Sequence, residues 1–395
     1  MNASTNSISN PTPAQIIPFC GPSVAVPAYA TSVLEIDLKR IGNNYLTLKA
    51  LQGDGIIAPV LKADAYGMHM TAVAPTLYEK GARHFFVSHV EEGIALRKIF
   101  DDQQNRDSAI YILNGLFAGT APFFMQYNLT PCLIHLAQLA EYAAYARDQG
   151  QTLPAVLYVD TGFTRTGMSP AEMMSVANDL SQVQGLAIKG VMSHLAFSKT
   201  PEHWKNAEQR RVFQQVTEAL PPELSQGFRS LSNSGGMFLG NDYVFDLSRP
   251  GKALYGVGCT QKLNVKPAVK LWARFIQIQA VPAGYTVGYD GVFVTPRPSI
   301  LGTVGMGHGD SWFKGLRNKG VAYVNGQRVP FVGLVSMDLT VVDLTDMLEG
   351  SLPKIGDWAE IIGPHLSMDE VARISVTSVH KILTSLGHRH HRVYT

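Results

Sequence analysis

Between about residues 33 and 260 the chain alternates short apolar runs with longer amphipathic stretches, repeating roughly every 20 to 35 residues. The runs IIAPVL (56–61), HFFVS (84–88), AIYILN (109–114), TPCLI (130–134), AVLYVD (155–160), IKGVMS (188–193) and RSLSN (229–233) predict strands. Between them GIALRKIF (93–100), AQLAEYAAYARDQ (137–149) and AEQRRVFQQVTEAL (207–220) space apolar residues three and four apart and predict helices. Strands separated by helices build parallel sheets, so a (β/α)8 barrel and a doubly wound sheet are the candidates. The strand count favours the barrel. After residue 265 the helical period fades, and VKLWARFIQIQAV (269–281), GVFVTP (291–296), GVAYVNGQRVPFVGL (320–334) and LTVVDL (339–344) predict a mainly β domain, with a hairpin turn at Asn325-Gly326. The expected fold class is therefore α/β, a TIM-type (β/α)8 barrel over 33–265 followed by a C-terminal β domain over 266–395. Residues 1–32, rich in Asn, Ser, Thr and Pro at their start, read as a flexible extension.

Composition narrows the partners. With 395 residues, 46% hydrophobic and 16% charged, the chain can bury the cores of two domains. Its 33 basic and 31 acidic residues give a net charge of only +2, without a run of like charge, which argues against nucleic acid. No apolar stretch approaches the roughly 18 residues that span a bilayer. Cys20, Cys132 and Cys259 are odd in number and widely spaced, so they predict reduced thiols in a cytoplasmic protein and neither a disulfide framework nor a metal site.

On a parallel barrel, functional groups collect where strands end and loops begin. Lys62 follows the first run, Asp160 and Arg165 follow AVLYV, His194 follows IKGVMS, Asn233 and Ser234 follow RSLS, and Arg249-Pro250-Gly251 lies just beyond. Each also has a plain structural reading: the lysine can snorkel to water, His194 can be a bonded core histidine, and Arg249 can pair with Asp246. Ser234 before two glycines can simply make a turn, and Tyr289 can be an ordinary strand aromatic. Taken together, a lysine able to form a Schiff base and Ser and Gly groups able to hold a phosphate suggest pyridoxal 5'-phosphate.

The motifs VLKADAYG, VDTGFTRTG, GVMSHLA, SNSGG, SRPGKALYG, VGYDGVF, VSMD and ILTSLGHRHHRVY resemble, in this order, the blocks of the fold-type III alanine racemase family. The resemblance runs from about residue 33 to the C-terminus and implies an amino-acid racemase acting as a homodimer with shared sites. It implies that Lys62 holds the cofactor covalently and serves as base on one face of the α-carbon, with Tyr289 of the partner subunit as base on the other. Tyr66, Ser234 and the amides of Gly251 and Lys252 would hold the phosphate, with His380 nearby, and Arg249 would face the pyridine nitrogen. His194 would link Arg249 to Tyr289, with Asn233 beside it. Arg165, Met337 and His308 would address the substrate. No metal is expected, even at the histidine-rich GHRHHR tail.

Departures from the family pattern cluster near the substrate. His308 and His380 stand where tyrosines are usual, Leu334 replaces an arginine, Ser336 a cysteine, and Tyr158 a lysine that some members carbamylate. Imidazole is shorter than phenol and can carry charge near neutrality, so one expectation is a wider or differently charged entrance admitting amino acids beyond alanine. The other is an ordinary alanine enzyme with neutral changes. Two further alternatives are a decarboxylase- or aldolase-type reaction on the same cofactor and a non-catalytic pyridoxal-phosphate carrier. Tyr289 and Arg249 weigh against the first, and the C-terminal blocks weigh against the second.

Overall fold

The computed structural model describes residues 21–105, 107–258, 264–310, 312 and 314–395. Cys20, Cys259 and residues 1–20 of the expected extension lie outside these. Near the end of that extension, Ala28 O accepts from Arg274 Nη1 at 3.0 Å and Thr31 O from the Arg274 amide at 2.8 Å.

Two compact units are present. One comprises 35–269, 377–386 and 393–395; the other comprises residues up to 34, 270–376 and 387–392. The chain therefore returns to the first unit near its end. The helix Val379–Ser385, carrying His380, belongs to the first unit.

After an outer strand β1 (Ser32–Ile36), eight short strands follow: β2 (Ile56–Ile57), β3 (His84–Val87), β4 (Ala109–Ile112), β5 (Leu129–Leu133), β6 (Leu153–Tyr158), β7 (Leu186–Met192), β8 (Phe228–Ser230) and β9 (Leu247–Ser248). Strands β3 to β8 pair in parallel in sequence order, and β2 pairs in parallel with β9. Parallel bridges Val60–Phe86 and Asn233–Arg249 join the two sheets and close a barrel. All seven runs expected to be strands contribute. β2 is short because Pro59 has no amide to offer the ladder, although its carbonyl still accepts from Phe86 N at 2.9 Å. The interior is filled by aromatic rings, with Phe86 stacked on Tyr111 at 4.5 Å and Phe228 edge-on to Tyr111 at 5.7 Å. Such rings add to an otherwise aliphatic core of buried Val, Ile and Leu residues. Helices between strands are capped where the sequence permits: Ser169 accepts from Glu172 N while Glu172 reaches back to Ser169 N, starting the helix Pro170–Asn178.

In the second unit β10 (Val269–Val281), β11 (Ser299–Val304), β12 (Val321–Val324), β13 (Gln327–Val332), β14 (Thr340–Asp343) and β15 (Trp358–Ile362) pair antiparallel in the cycle 10-11-14-13-12-15-10. The long β10 closes the cycle by pairing with β15 through Leu271–Arg274 and with β11 through Phe275–Val281. GVFVTP, expected to be a strand, makes only an isolated bridge at Val294. Asp290 just before it and Gly291, its first residue, sit at φ of 58° and 53°, and Pro296, its last, withholds an amide, so no ladder propagates. His390, in the histidine-rich tail, is buried, with Nδ1 2.8 Å from Ser32 Oγ and Nε2 3.2 Å from Asp310 O. No helix among the described residues is long and apolar enough to cross a membrane.

Candidate active site

Lys62 opens a turn that the sequence does not announce. Ala63, Asp64, Ala65 and Tyr66 all lie in the left-handed region, at φ of 52°, 51°, 55° and 58°. Side-chain crowding makes this region cost about 1–2 kcal/mol for each non-glycine residue. The surroundings over-determine the turn. Leu61 N donates to Phe86 O at 2.8 Å, Ala65 N to Leu61 O at 2.8 Å, Tyr255 Oη to Ala65 O at 2.6 Å and Met70 N to Asp64 Oδ1 at 2.7 Å. Gly67, at φ 80°, releases the chain from the turn. The result is that Lys62 and Tyr66 face one cavity.

That cavity, about 410 Å³, sits at the carboxyl ends of the barrel strands, and every residue lining it belongs to the barrel unit. It brings together Lys62, Tyr66 and Arg165 with His194 and Asn233, and also Ser234, Arg249, Gly251, Lys252 and His380. Five cations line it, those named plus Lys199, and no Asp or Glu does. The electrostatic consequence is a site for an anionic ligand. Burial, assisted by Arg165 and opposed by Glu92, lowers the Lys62 pKa and so favours a neutral amine.

Arg249 is buried, and burial lowers its pKa to about 10, leaving it charged near neutrality. It does not pair with Asp246, which holds Arg229 instead at 2.9 Å. Arg249 donates to Ser230 Oγ and to Ser193 O. Its Nη2 lies 3.5 Å from His194 Nδ1, the far limit of a hydrogen bond. His194 has its pKa pushed well down by burial and by Arg249, Arg165 and Lys62, and is neutral. Its Nε2 accepts from Asn233 Nδ2 at 3.2 Å, and the Asn233 amide is fixed in that sense because its Oδ1 accepts from Gly235 N and Gly236 N at 3.0 Å. Within the chain, His194 therefore bonds to Asn233 and borders Arg249.

Ser234 Oγ accepts from Gly251 N at 3.0 Å and Ala253 N at 3.2 Å, which leaves its proton to donate into the cavity. Gly251 cannot carry a side chain, because a Cβ would lie 2.1 Å from Tyr66 Oη. His380 lines the same cavity. Burial, with Lys252, Lys199 and Lys62 around it, lowers its pKa to about 4, so it is a neutral hydrogen-bonding group rather than an added charge.

Around Arg165, the Asp160 carboxylate is consumed by the amides of Gly162 and Phe163 at 2.8 Å and of Thr164 at 2.9 Å, which shapes the loop. The Arg165 guanidinium lies over the Phe163 ring, 4.1 Å from its centroid, and the same ring meets the His194 edge at 5.7 Å. This stack orients Arg165 where Tyr158 offers no anion. Phe163 and Glu92, whose carboxylate accepts from Ala63 N, were not among the residues expected at the site. Phe163 sits inside the VDTGFTRTG motif, and Glu92 sits in the first turn after β3, so both positions were readable but their contacts were not.

Tyr289, His308 and Met337 belong to the other unit. Tyr289 and Met337 are 70% and 58% exposed, large values for an aromatic and a thioether. Backbone bonds from His308 N to Ser336 O at 2.8 Å and from Gly309 N to Met337 O at 2.7 Å tie the His308 and Met337 loops together.

The donor set suits pyridoxal phosphate: an amine to bond an aldehyde, and hydroxyls, amides and cations to hold a phosphate. Comparison with known proteins decides the family. The alanine racemase N-terminal domain matches residues 36–258 and the alanine racemase C-terminal domain matches 268–394. The chain belongs to the alanine racemase family. It is 40% identical over 368 residues to the catabolic alanine racemase of Agrobacterium fabrum, covering 92% of both chains. It is 38% identical over 380 residues to the alanine racemase of Brucella ovis, covering 92% of this chain and 94% of that one. Among solved structures, the Bartonella henselae alanine racemase with covalently bound pyridoxal phosphate superposes with a TM-score of 0.87 at 36% identity, covering 93% of this chain and all of that one. The alanine racemase of a D-cycloserine-producing Streptomyces lavendulae gives 0.84 at 27% identity, covering 94% of this chain and 98% of that one. Like its family, the chain is a pyridoxal-phosphate-dependent amino-acid racemase.

Proposed function

We propose that the chain racemises alanine in the cytoplasm as a homodimer, with Lys62 and Tyr289 of the partner subunit as the two acid-base groups. The observation that carries this reading is the cavity itself, which sets a pKa-lowered Lys62 beside four other basic side chains, with no acid on its lining among the described residues. When bound, pyridoxal phosphate supplies the electron withdrawal that makes an α-proton removable at neutral pH. Lys62 would hold it, and Tyr66, Ser234, Gly251, Lys252 and His380 would bind its phosphate. Arg249, charged and fixed by Ser230 and Ser193, would face the ring nitrogen as a donor. Arg165, steadied by Phe163, would receive the substrate carboxylate with Met337 and His308 of the partner subunit.

Racemisation needs a proton taken from one face of the α-carbon and returned to the other, so two groups on opposite sides must exchange roles. Lys62 suits one side because burial and Arg165 favour its neutral form. Exposure of Tyr289 on the single chain is consistent with its acting in a partner's site. The three dispersed cysteines support the cytoplasmic assignment. The domain reading, a barrel over 33–265 and a C-terminal β domain over 266–395, is kept as part of this proposal.

Mixing Lys62→Ala with Tyr289→Phe protein tests the shared site. Subunit exchange should restore activity, because some mixed dimers regain one site with both bases. Absence of recovery despite demonstrated exchange would sink the arrangement. Exchange of the α-proton with deuterated solvent, followed by chiral analysis over alanine, serine, lysine and arginine, settles the substrate. Strict preference for alanine rejects the wider entrance, whereas decarboxylated or cleaved products would reject racemisation.

A further inference from the structure

We propose that Glu92 is a positioning residue for Lys62: its carboxylate pins the left-handed turn to the loop after β3, aims the Lys62 amine into the cavity and places a negative charge beside it. The inference rests on the reading of Lys62 as the residue that holds the cofactor. Glu92 uses both oxygens. Oε1 accepts from Ala63 N at 2.6 Å, one residue beyond Lys62, while Oε2 accepts from Ser88 N at 2.8 Å and His89 N at 3.1 Å. It also completes the capping box that starts the helix Val90–Asp102, so its direction is fixed by a regular element. A four-residue left-handed turn without glycine persists only where neighbours hold it, and Glu92 provides a charged acceptor at its first amide.

The surroundings of Lys62 make this charge distinctive. Arg165 from the β6 loop, His194 after β7, Arg249 and Lys252 after β9, Lys199 and the neutral His380 line the same cavity, and Tyr66 faces it from Lys62's own turn. Asp64 on that turn is engaged by the Met70 amide and lies 3.9 Å from His69. The two charges that act on Lys62 have opposite signs, Arg165 lowering its pKa and Glu92 raising it. Glu92 thus keeps the amine from being driven too far by its cationic neighbours, while also holding the backbone from which it projects.

The holoenzymes of Glu92→Gln, Glu92→Asp and the parent separate these effects, with Lys62→Ala as reference. Glu92→Gln keeps the shape and loses the charge. Its visible cofactor band should titrate at lower pH than the parent's, and pyridoxal phosphate should be lost about tenfold faster on gel filtration, as expected when a charge-assisted bond is weakened. Glu92→Asp, which restores charge on a shorter arm, should move the titration midpoint back towards the parent. An unchanged spectral midpoint and unchanged cofactor retention in Glu92→Gln would overturn the inference. So would a fall in thermal midpoint in every Glu92 variant with no spectral change, because that marks a purely structural cap. A visible band persisting in Lys62→Ala would instead overturn the assignment of Lys62, and the inference with it. Loss of the band there beside a parent-like Glu92→Gln would refute Glu92 alone.

Discussion

The barrel unit and the β unit deliver their expected site residues in different states. On the barrel, ten such residues, from Lys62 to His380, line one cavity, with the buried cation Arg249 fixed by Ser230 and Ser193 and a neutral His194 bonded to Asn233. On the β unit, Tyr289 and Met337 stand out into solvent, with the Met337 loop braced by backbone bonds. The first set is built to hold a cofactor whatever its neighbours do. The second is exposed on the single chain. Under the proposed homodimer, the cofactor site is completed by one chain and the reaction by two.

The largest effect that tests this division is on the barrel side. Lys62→Ala should abolish the visible cofactor band and lower turnover by roughly 10⁴-fold, since both attachment and one acid-base group go together. A coloured Lys62→Ala protein would break the comparison at its root.

Next comes the β side. Tyr289→Phe should keep the visible band and lower racemisation by about 10²-fold or more, while one alanine enantiomer still exchanges its α-proton with solvent. Loss of colour in this variant would mean that the two units do not divide the work as described. Dilution sharpens the same point: turnover should fall with subunit concentration before the visible band does, as mass action on a dimer requires.

How much of this was legible follows the same line. The barrel strands were visible because buried parallel strands are nearly continuous apolar runs, and seven such runs all became strands. The lysine, Arg165, His194 and Ser234 were visible because strand ends face one side of a barrel. The left-handed turn was hidden, since ADAY contains no glycine to signal positive φ and its conformation is set by Tyr255, Glu92 and Phe86 from distant parts of the chain. GVFVTP misled because its apolar run has strand composition, while Asp290, Gly291 and Pro296 deny it a ladder. The neutral form of His380 was hidden for a related reason: burial and three lysines near it are tertiary facts.

That neutral form leads to an effect of intermediate size. His380 and His194 both have folded pKa values below the ordinary histidine value of 6.5. Unfolded chains therefore bind protons that the folded one refuses, so these residues support stability above about pH 6.5 and that support is lost as pH falls towards 4. The thermal midpoint of the cofactor-free protein should drop across that window, and His380→Gln should flatten part of the drop. A parent whose midpoint is level from pH 6.5 to 4 would show that these imidazoles are not held neutral.

The smallest expected effect lies on Arg165, in the barrel unit. Its guanidinium rests on Phe163 at 4.1 Å, and such a contact at an accessible site is worth about 0.5–1 kcal/mol. Phe163→Leu keeps an apolar side chain but removes the aromatic face, so Arg165 should spend less time aimed at the substrate carboxylate. The KM for alanine should rise by roughly two- to fivefold, with kcat and the visible band nearly unchanged, because the cofactor contacts on the barrel are not involved. Phe163→Tyr should restore the parent KM. If Phe163→Leu instead bleaches the cofactor band, the ring serves His194, which it meets at 5.7 Å, more than Arg165. In that case the substrate arginine takes its orientation from the partner subunit, and the line between what one chain completes and what two complete moves to include Arg165.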